Sequence, residues 1–246
     1  MKAAPTLLAV MMWAAPALAD VCNDVTYLDV PYTICEADLT QSDMRLFLYA
    51  EGGAPYGHFS TINRHLAEQN LQLGFAMNAG MYHEDRAPVG HYVENGREQM
   101  RVITNAGPGN FGLLPNGVFC IRKGRADVIE TLRFVEETPD CRFATQSGPM
   151  LVIDGELHPR FLPDSTSRYI RNGVGTSADG TRAVFAISSV PVTFHEFGEL
   201  FRDGLKLPNA LYFDGNISRL YAPDLERNDA GFRLGPIVGT VVPLEQ

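Results

Sequence analysis

No cluster of lysine and arginine stands out anywhere in these 246 residues, and 20 basic against 29 acidic side chains leave a formal charge of −9. A phosphate-backbone footprint is missing, which excludes nucleic acid as a first partner. The chain also lacks a CxxC pair, an HExxH helix and an EF-hand loop, so transition-metal chemistry finds no support in its motifs. A calcium ion held by backbone carbonyls and scattered carboxylates would leave no motif to read. There is no Gly-x-Ser-x-Gly elbow for a serine nucleophile. Beyond the first residues, no apolar run reaches the ~20 residues of a membrane span. No repeat, low-complexity tract or Pro/Ser-rich linker divides the chain, so one domain over 20–246 is the expectation. With 45% hydrophobic residues it can build a full core.

Residues 1–19, MKAAPTLLAVMMWAAPALA, carry one lysine, a short apolar run and the small-x-small triplet Ala17-Leu18-Ala19. This reads as a signal peptide cleaved after Ala19, and it predicts an exported protein, periplasmic or secreted. Export permits disulfides, and four cysteines allow three complete connectivities. Cys22–Cys35 and Cys120–Cys141 are favoured, since each pair is near in sequence and brackets a strand-like stretch.

Arg45–Tyr49 is strand-like, Phe59, Ile62 and Leu66 recur at helical spacing, and Leu73–Met77 is apolar. Asn95-Gly96, Asn116-Gly117, Asp154-Gly155, Asp179-Gly180 and, more weakly, Lys123-Gly124 predict hairpin turns. Thr193-Phe194-His195-Glu196 fits a capping box, and Phe194, Phe197, Leu200, Phe201 and Leu205 share one helical face before Pro208. Ala210–Phe213 follows as a buried strand. The fold class is α+β, a mixed, hairpin-rich sheet with a few covering helices.

Four segments place glycine beside polar side chains directly after apolar strands: Asn78–Tyr82, Gln146–Pro149, Arg171–Gly175 and Asp214–Ser218. Each alone reads more readily as an ordinary turn than as a site. Their recurrence points to a site, because glycine lets backbone approach a ligand and strand ends hold polar groups accurately.

In order, LGFAMNAGMY, NFGLLPNGVF, TQSGPMLVIDGEL, RNGVGTSADGTRAVFAIS and NALYFDGNISRLYAP resemble the phosphodiester glycosidase family over 72–222. Where that family usually reads Asp-Gly-Gly-Gly-Ser, this chain has Asp214-Gly215-Asn216-Ile217-Ser218. The resemblance implies a hydrolase acting on a sugar phosphodiester or phosphorylated glycan, with bacterial relatives linked to exopolysaccharide; the motifs of the sequence, for their part, require no cofactor. It also implies a site lined by Asn78, Gly80, Gly148, Arg171, Gly175, Asp214, Gly215 and Ser218. By chemistry, Arg171 is the phosphate partner through two charge-assisted hydrogen bonds, against the alternative of an ion pair with Asp164 or Asp179. Asp214 is the first-choice carboxylate and Glu196 the second, although the capping box already accounts for Glu196. Glu84, Asp85, His83 and His91 are further acid/base candidates. Ser218 is a hydrogen-bond donor. The competing reading is a glycan- or exopolysaccharide-binding protein of the cell envelope that holds its ligand without cutting it.

Overall fold

The computed structural model describes residues 20–215 and 217–244, so the predicted leader at 1–19 and Asn216 lie outside the described residues. Three antiparallel sheets form the framework of the fold. The largest runs Asp20–Tyr27, Val30–Asp38, Arg182–Ser188, Asn172–Thr176, Asn209–Asp214, Met150–Ile153, Glu156–Leu157. A second orders Arg227–Asn228, Leu220–Ala222, Leu71–Asn78, Ile237–Pro243 and Asp43–Phe47. The third orders Arg97–Met100, Tyr92–Glu94, Phe143–Ser147, Gly117–Arg122 and Arg125–Glu130. The α+β class holds, with more sheet than the sequence suggests and short helices at Phe59–Ala67, Thr131–Glu137 and Phe194–Glu199.

The two-residue period of the strands decides the packing. Leu211 and Phe213 point into a core shared by all three sheets, where they join Phe75, Phe119 and Phe185. Their alternates Ala210 and Tyr212 face the helix Phe194–Glu199, among Phe197, Phe201 and Leu207. Phe59, Ile62 and Leu66, the apolar stripe read from spacing, press their helix onto the outer face of the second sheet. Phe134 of Thr131–Glu137 covers the third beside the Cys120–Cys141 bond. Each sheet thus has one face in a common core and the other under a helix, and each buried Phe or Leu contributes ~1.5–3 kcal/mol.

Cys22 is bonded to Cys35 across the first hairpin and Cys120 to Cys141, the two pairs favoured above. Four of the five expected turns close antiparallel pairs, with Gly96, Gly124, Gly155 and Gly180 at positive φ. Asn116-Gly117 does not. Gly117 opens a strand, and the Asn116 amide is fully buried, donating to Phe111 O (2.9 Å) and accepting from the Thr131 hydroxyl (2.7 Å). The capping box is present, but the helix predicted to run evenly to Leu205 widens into a π turn over Leu200–Gly204. Leu205 N bonds there to Leu200 O at 2.8 Å.

Candidate active site

Three strands meet at one corner. Asn172 begins its strand opposite Asp214, the last residue of Asn209–Asp214, and Asn78 ends the strand Leu71–Asn78. The Asn172 amide nitrogen donates to Asn78 O (2.9 Å), and its oxygen accepts from Asp214 N (3.1 Å). Asn78 donates to Ile217 O (2.6 Å) and accepts from Arg219 N (2.9 Å). The Ser218 hydroxyl lies 2.9 Å from Asp214 O and 3.0 Å from Ile170 O. Both asparagines are fully buried and fully engaged. Asn78 and Ser218, expected to meet the ligand, here tie the Asp214 loop to the sheet.

In front of this knot lies a cleft of about 580 Å³, lined in part by Tyr82, Asn110, Tyr169, Tyr212, Asp214 and Ile217. Asp214 continues the face of the strand that carries Tyr212, emerging where helix cover stops. It is the single carboxylate among the described lining residues, and its Oδ1 accepts from Gly215 N at 2.6 Å. A Cβ at Gly215 would stand 2.2 Å from the Tyr212 hydroxyl, so glycine is what lets that hydroxyl reach the floor. Gly80, at φ +136°, turns the chain out of its strand and delivers Tyr82 to the wall. Burial, followed by the charge of Asp214, pushes the Tyr82 phenol up, against Arg86 and Arg219.

Beneath the floor lies Arg171, fully buried, with its guanidinium 3.6 Å from the centroid of the Phe194 ring and 5.4 Å from those of Tyr169 and Tyr212. Nε donates to Val192 O (2.9 Å) and Nη2 to Ser167 O (3.1 Å), while Nη1 has no partner. Among the described residues no carboxylate pairs with it, which removes the ion pair with Asp164 or Asp179; Asp179 bonds instead to Ser177 and Thr181. The two-pronged grip expected of Arg171 is not available in this arrangement, because two of its nitrogens hold backbone carbonyls. Burial lowers its pKa against the pull of Tyr212 and Tyr169. Burial also holds Tyr212 far above the usual phenol range, with Arg171 opposing and Asp214 assisting, so its hydroxyl keeps a proton to donate.

The other expected residues lie elsewhere. Glu196 caps its helix and takes a bidentate bond from Arg168 (2.7 and 2.9 Å); burial opposes its ionisation, but bonds from Thr193 and Arg168 outweigh it. Gly148 packs on Asn116, where a Cβ would meet Cβ at 2.6 Å, and Gly175 faces Leu207 and Phe201 at 2.7 and 2.9 Å. Neither lines the cleft. Glu84 and Asp85 sit in an exposed turn closed by His83 N to Ala87 O, and His91 is buried, its charge disfavoured by desolvation. No group of three or more metal-ligating side chains lies among the described residues. Tyr82 and Asn172 lay inside segments singled out from the sequence but were given no role there, and sequence reasoning missed Asn110, Tyr169 and Tyr212. For Asn110 a signal was present: Gly107-Pro108-Gly109-Asn110-Phe111-Gly112, a loop pinched so tightly that a Cβ on Gly112 would lie 2.0 Å from Gly107 O.

A family model described as phosphodiester glycosidase matches residues 72–233. An Escherichia coli K12 protein, the uncharacterized YigE, is 33% identical over 210 residues, covering 84% of this chain and 81% of that protein. Among solved structures, the catalytic domain of zebrafish N-acetylglucosamine-1-phosphodiester alpha-N-acetylglucosaminidase, auto-inhibited by its pro-peptide, superposes with a TM-score of 0.58 at 14% identity, covering 95% of this chain and 85% of that one. A hypothetical protein from Synechocystis gives 0.60 at 13% identity over 90% of this chain, which spans 61% of that protein's length. Both structural likenesses speak to the fold.

Proposed function

Because this chain belongs to the phosphodiester glycosidase family, we propose that it hydrolyses the bond between a sugar and a phosphodiester in the Asp214 cleft. The observation that carries this reading is Arg171, a fully buried cation with no carboxylate partner among the described residues, beneath an aromatic floor bordered by one carboxylate. Burying a cation uncompensated costs several kcal/mol, and an anionic ligand above it returns that energy.

The bond between anomeric carbon and phosphate oxygen breaks, and water supplies the new hydroxyl of the sugar. Most glycosidases need two carboxyl groups, one to protonate the departing oxygen. A phosphate leaves as a stable anion, so that demand falls, and Asp214 serves as nucleophile or as base toward water. Negative charge gathering on the departing phosphate is met by the Tyr212 hydroxyl and the spare donors of Arg171. Tyr82 and Tyr169 offer ring faces to the sugar. Asn78, Asn172 and Ser218 hold the Asp214 loop in place. The two disulfides support a site of action outside the reducing cytoplasm, in periplasm or medium, in line with the leader-like residues 1–19. Among the described residues no helix is long and apolar enough to cross a membrane.

The test is sugar release from a panel of sugar-1-phosphodiesters. Asp214→Asn is expected to keep its circular dichroism spectrum and lose turnover by ~10²–10⁴. Arg171→Lys, which keeps the charge but cannot hold Val192 O and Ser167 O while aiming a further donor at the ligand, is expected to lower kcat/KM by roughly tenfold or more. A folded Asp214→Asn protein with near wild-type turnover removes Asp214 from the mechanism. The single carboxylate of the cleft also suits a glycan-binding protein, and calorimetry showing tight glycan binding without turnover would select that reading.

A further inference from the structure

Arginines remote from the cleft are either matched to acids, as Arg122 and Arg125 are to Asp127, Arg133 to Asp154 and Arg182 to Glu36, or exposed to water, as Arg64, Arg97 and Arg142 are. Around Tyr82 this matching stops. Arg219 is only 8% exposed, yet among the described residues its guanidinium makes neither a hydrogen bond nor an ion pair; Asp229, the acid whose charge acts on it, is taken up by Arg227 and by Leu220 N. It rests against Gly231, where a Cβ would stand 2.4 Å from Nη2. Arg86 lies over the Tyr82 ring at 5.3 Å, gives Nη1 to Glu84 O (2.7 Å), and keeps a buried Nε without a partner. Arg86 thus stands over the Tyr82 ring, and the charges of Arg219 and Asp214 act on the same phenol. In a chain of charge −9, two under-used guanidiniums beside one cleft wall call for an external anion.

We infer that the ligand carries a second anionic group, a phosphate or a carboxylate on its aglycone, received on the Tyr82 side of the cleft by Arg219 with Arg86 beside it. This rests on the reading in which Arg171 and Tyr212 serve the phosphodiester itself. Arg171 lies under Tyr169 and Tyr212, whereas Arg86 lies over Tyr82 and the charge of Arg219 acts on that phenol, so cations stand behind two different walls of the cleft. A planar guanidinium suits either anion, through paired charge-assisted bonds.

The experiment uses the mature chain and three esters of one sugar 1-phosphate: ethyl, 2-carboxyethyl and 2-phosphoethyl. Calorimetry in the Asp214→Asn background measures affinity without turnover, and wild-type protein reports sugar release. At least one of the anionic esters is expected to bind roughly tenfold tighter than the ethyl ester, and which one does so separates carboxylate from phosphate. Arg219→Gln is expected to bring that ratio close to one, and Arg219→Lys to keep part of it. Should Arg219→Gln fail to fold by circular dichroism, Arg86→Gln, at a partly exposed position, reads the same ratio and is expected to lower it several-fold. Equal affinity for all three esters, or a ratio that survives both substitutions, overturns the inference. The underlying reading fails separately: no sugar released from any ester by wild type, with the affinity ratio intact, leaves a doubly anionic ligand bound by a non-hydrolytic protein.

Discussion

Asn172 shows how much one side chain can decide in this molecule. Its amide bonds to Asn78 on one side and to the main chain of Asp214 on the other, at a position with no exposure. Replacing it with alanine leaves Asn78 O and Asp214 N buried without those partners, a loss of ~1–3 kcal/mol. Asn172→Ala is therefore expected to lower the urea midpoint and to reduce turnover more than binding, because the Asp214 loop loses its anchor while the aromatic walls stay. Unchanged denaturation would show that water or neighbouring groups satisfy those atoms. Asn172 stood in the sequence between Arg171 and Gly173, and its type alone did not separate it from an ordinary turn residue. Asp214, by contrast, could be singled out because an apolar strand ended at it.

Among the elements, the strand Asn172–Thr176 joins site and core. Val174 points into the common core, and Gly173 and Gly175 fall on the opposite side, Gly173 against Leu151 and Leu211 O and Gly175 against Leu207 and, in the π turn, Phe201. Gly175 resembles a binding glycine in sequence, yet what it admits is Phe201 and Leu207. A Gly175→Ala protein is expected to be destabilised by ~1–3 kcal/mol through overpacking, with KM for any substrate unchanged. Thermal unfolding together with KM checks this; a raised KM at unaltered stability would return Gly175 to the site. The capping box and the stripe of Phe59, Ile62 and Leu66 were legible because each depends on residues within one or two turns. The Asn116-Gly117 turn misled for the opposite reason: Phe111 and Thr131, which hold Asn116, are set by tertiary packing.

At the scale of the whole molecule, strands outside the matched segment 72–233 are woven into its sheets. Val30–Asp38 pairs with Arg182–Ser188 over seven positions, and Ile237–Pro243 lies between Leu71–Asn78 and Asp43–Phe47. A fragment restricted to 72–233 would leave these central strands with open, apolar edges. It is expected to aggregate or remain unfolded, while 20–246 gives a cooperative transition; a soluble fragment with a native-like spectrum would refute this dependence.

What the amino-acid order determined by itself was local: strand and helix periods, the glycine turns, the capping box, the cysteine pairs near in sequence, and the run of blocks that resembles a family. Those features rest on interactions spanning a few residues. Only the tertiary structure decided that Asn78 and Ser218 hold a loop, that Arg171 lies buried without an acid, and that three tyrosines from distant segments line one cleft with Asp214. The physical reason is distance along the chain: 132 positions separate Tyr82 from Asp214, and the pairing of sheets that brings them together leaves no periodic mark on either segment.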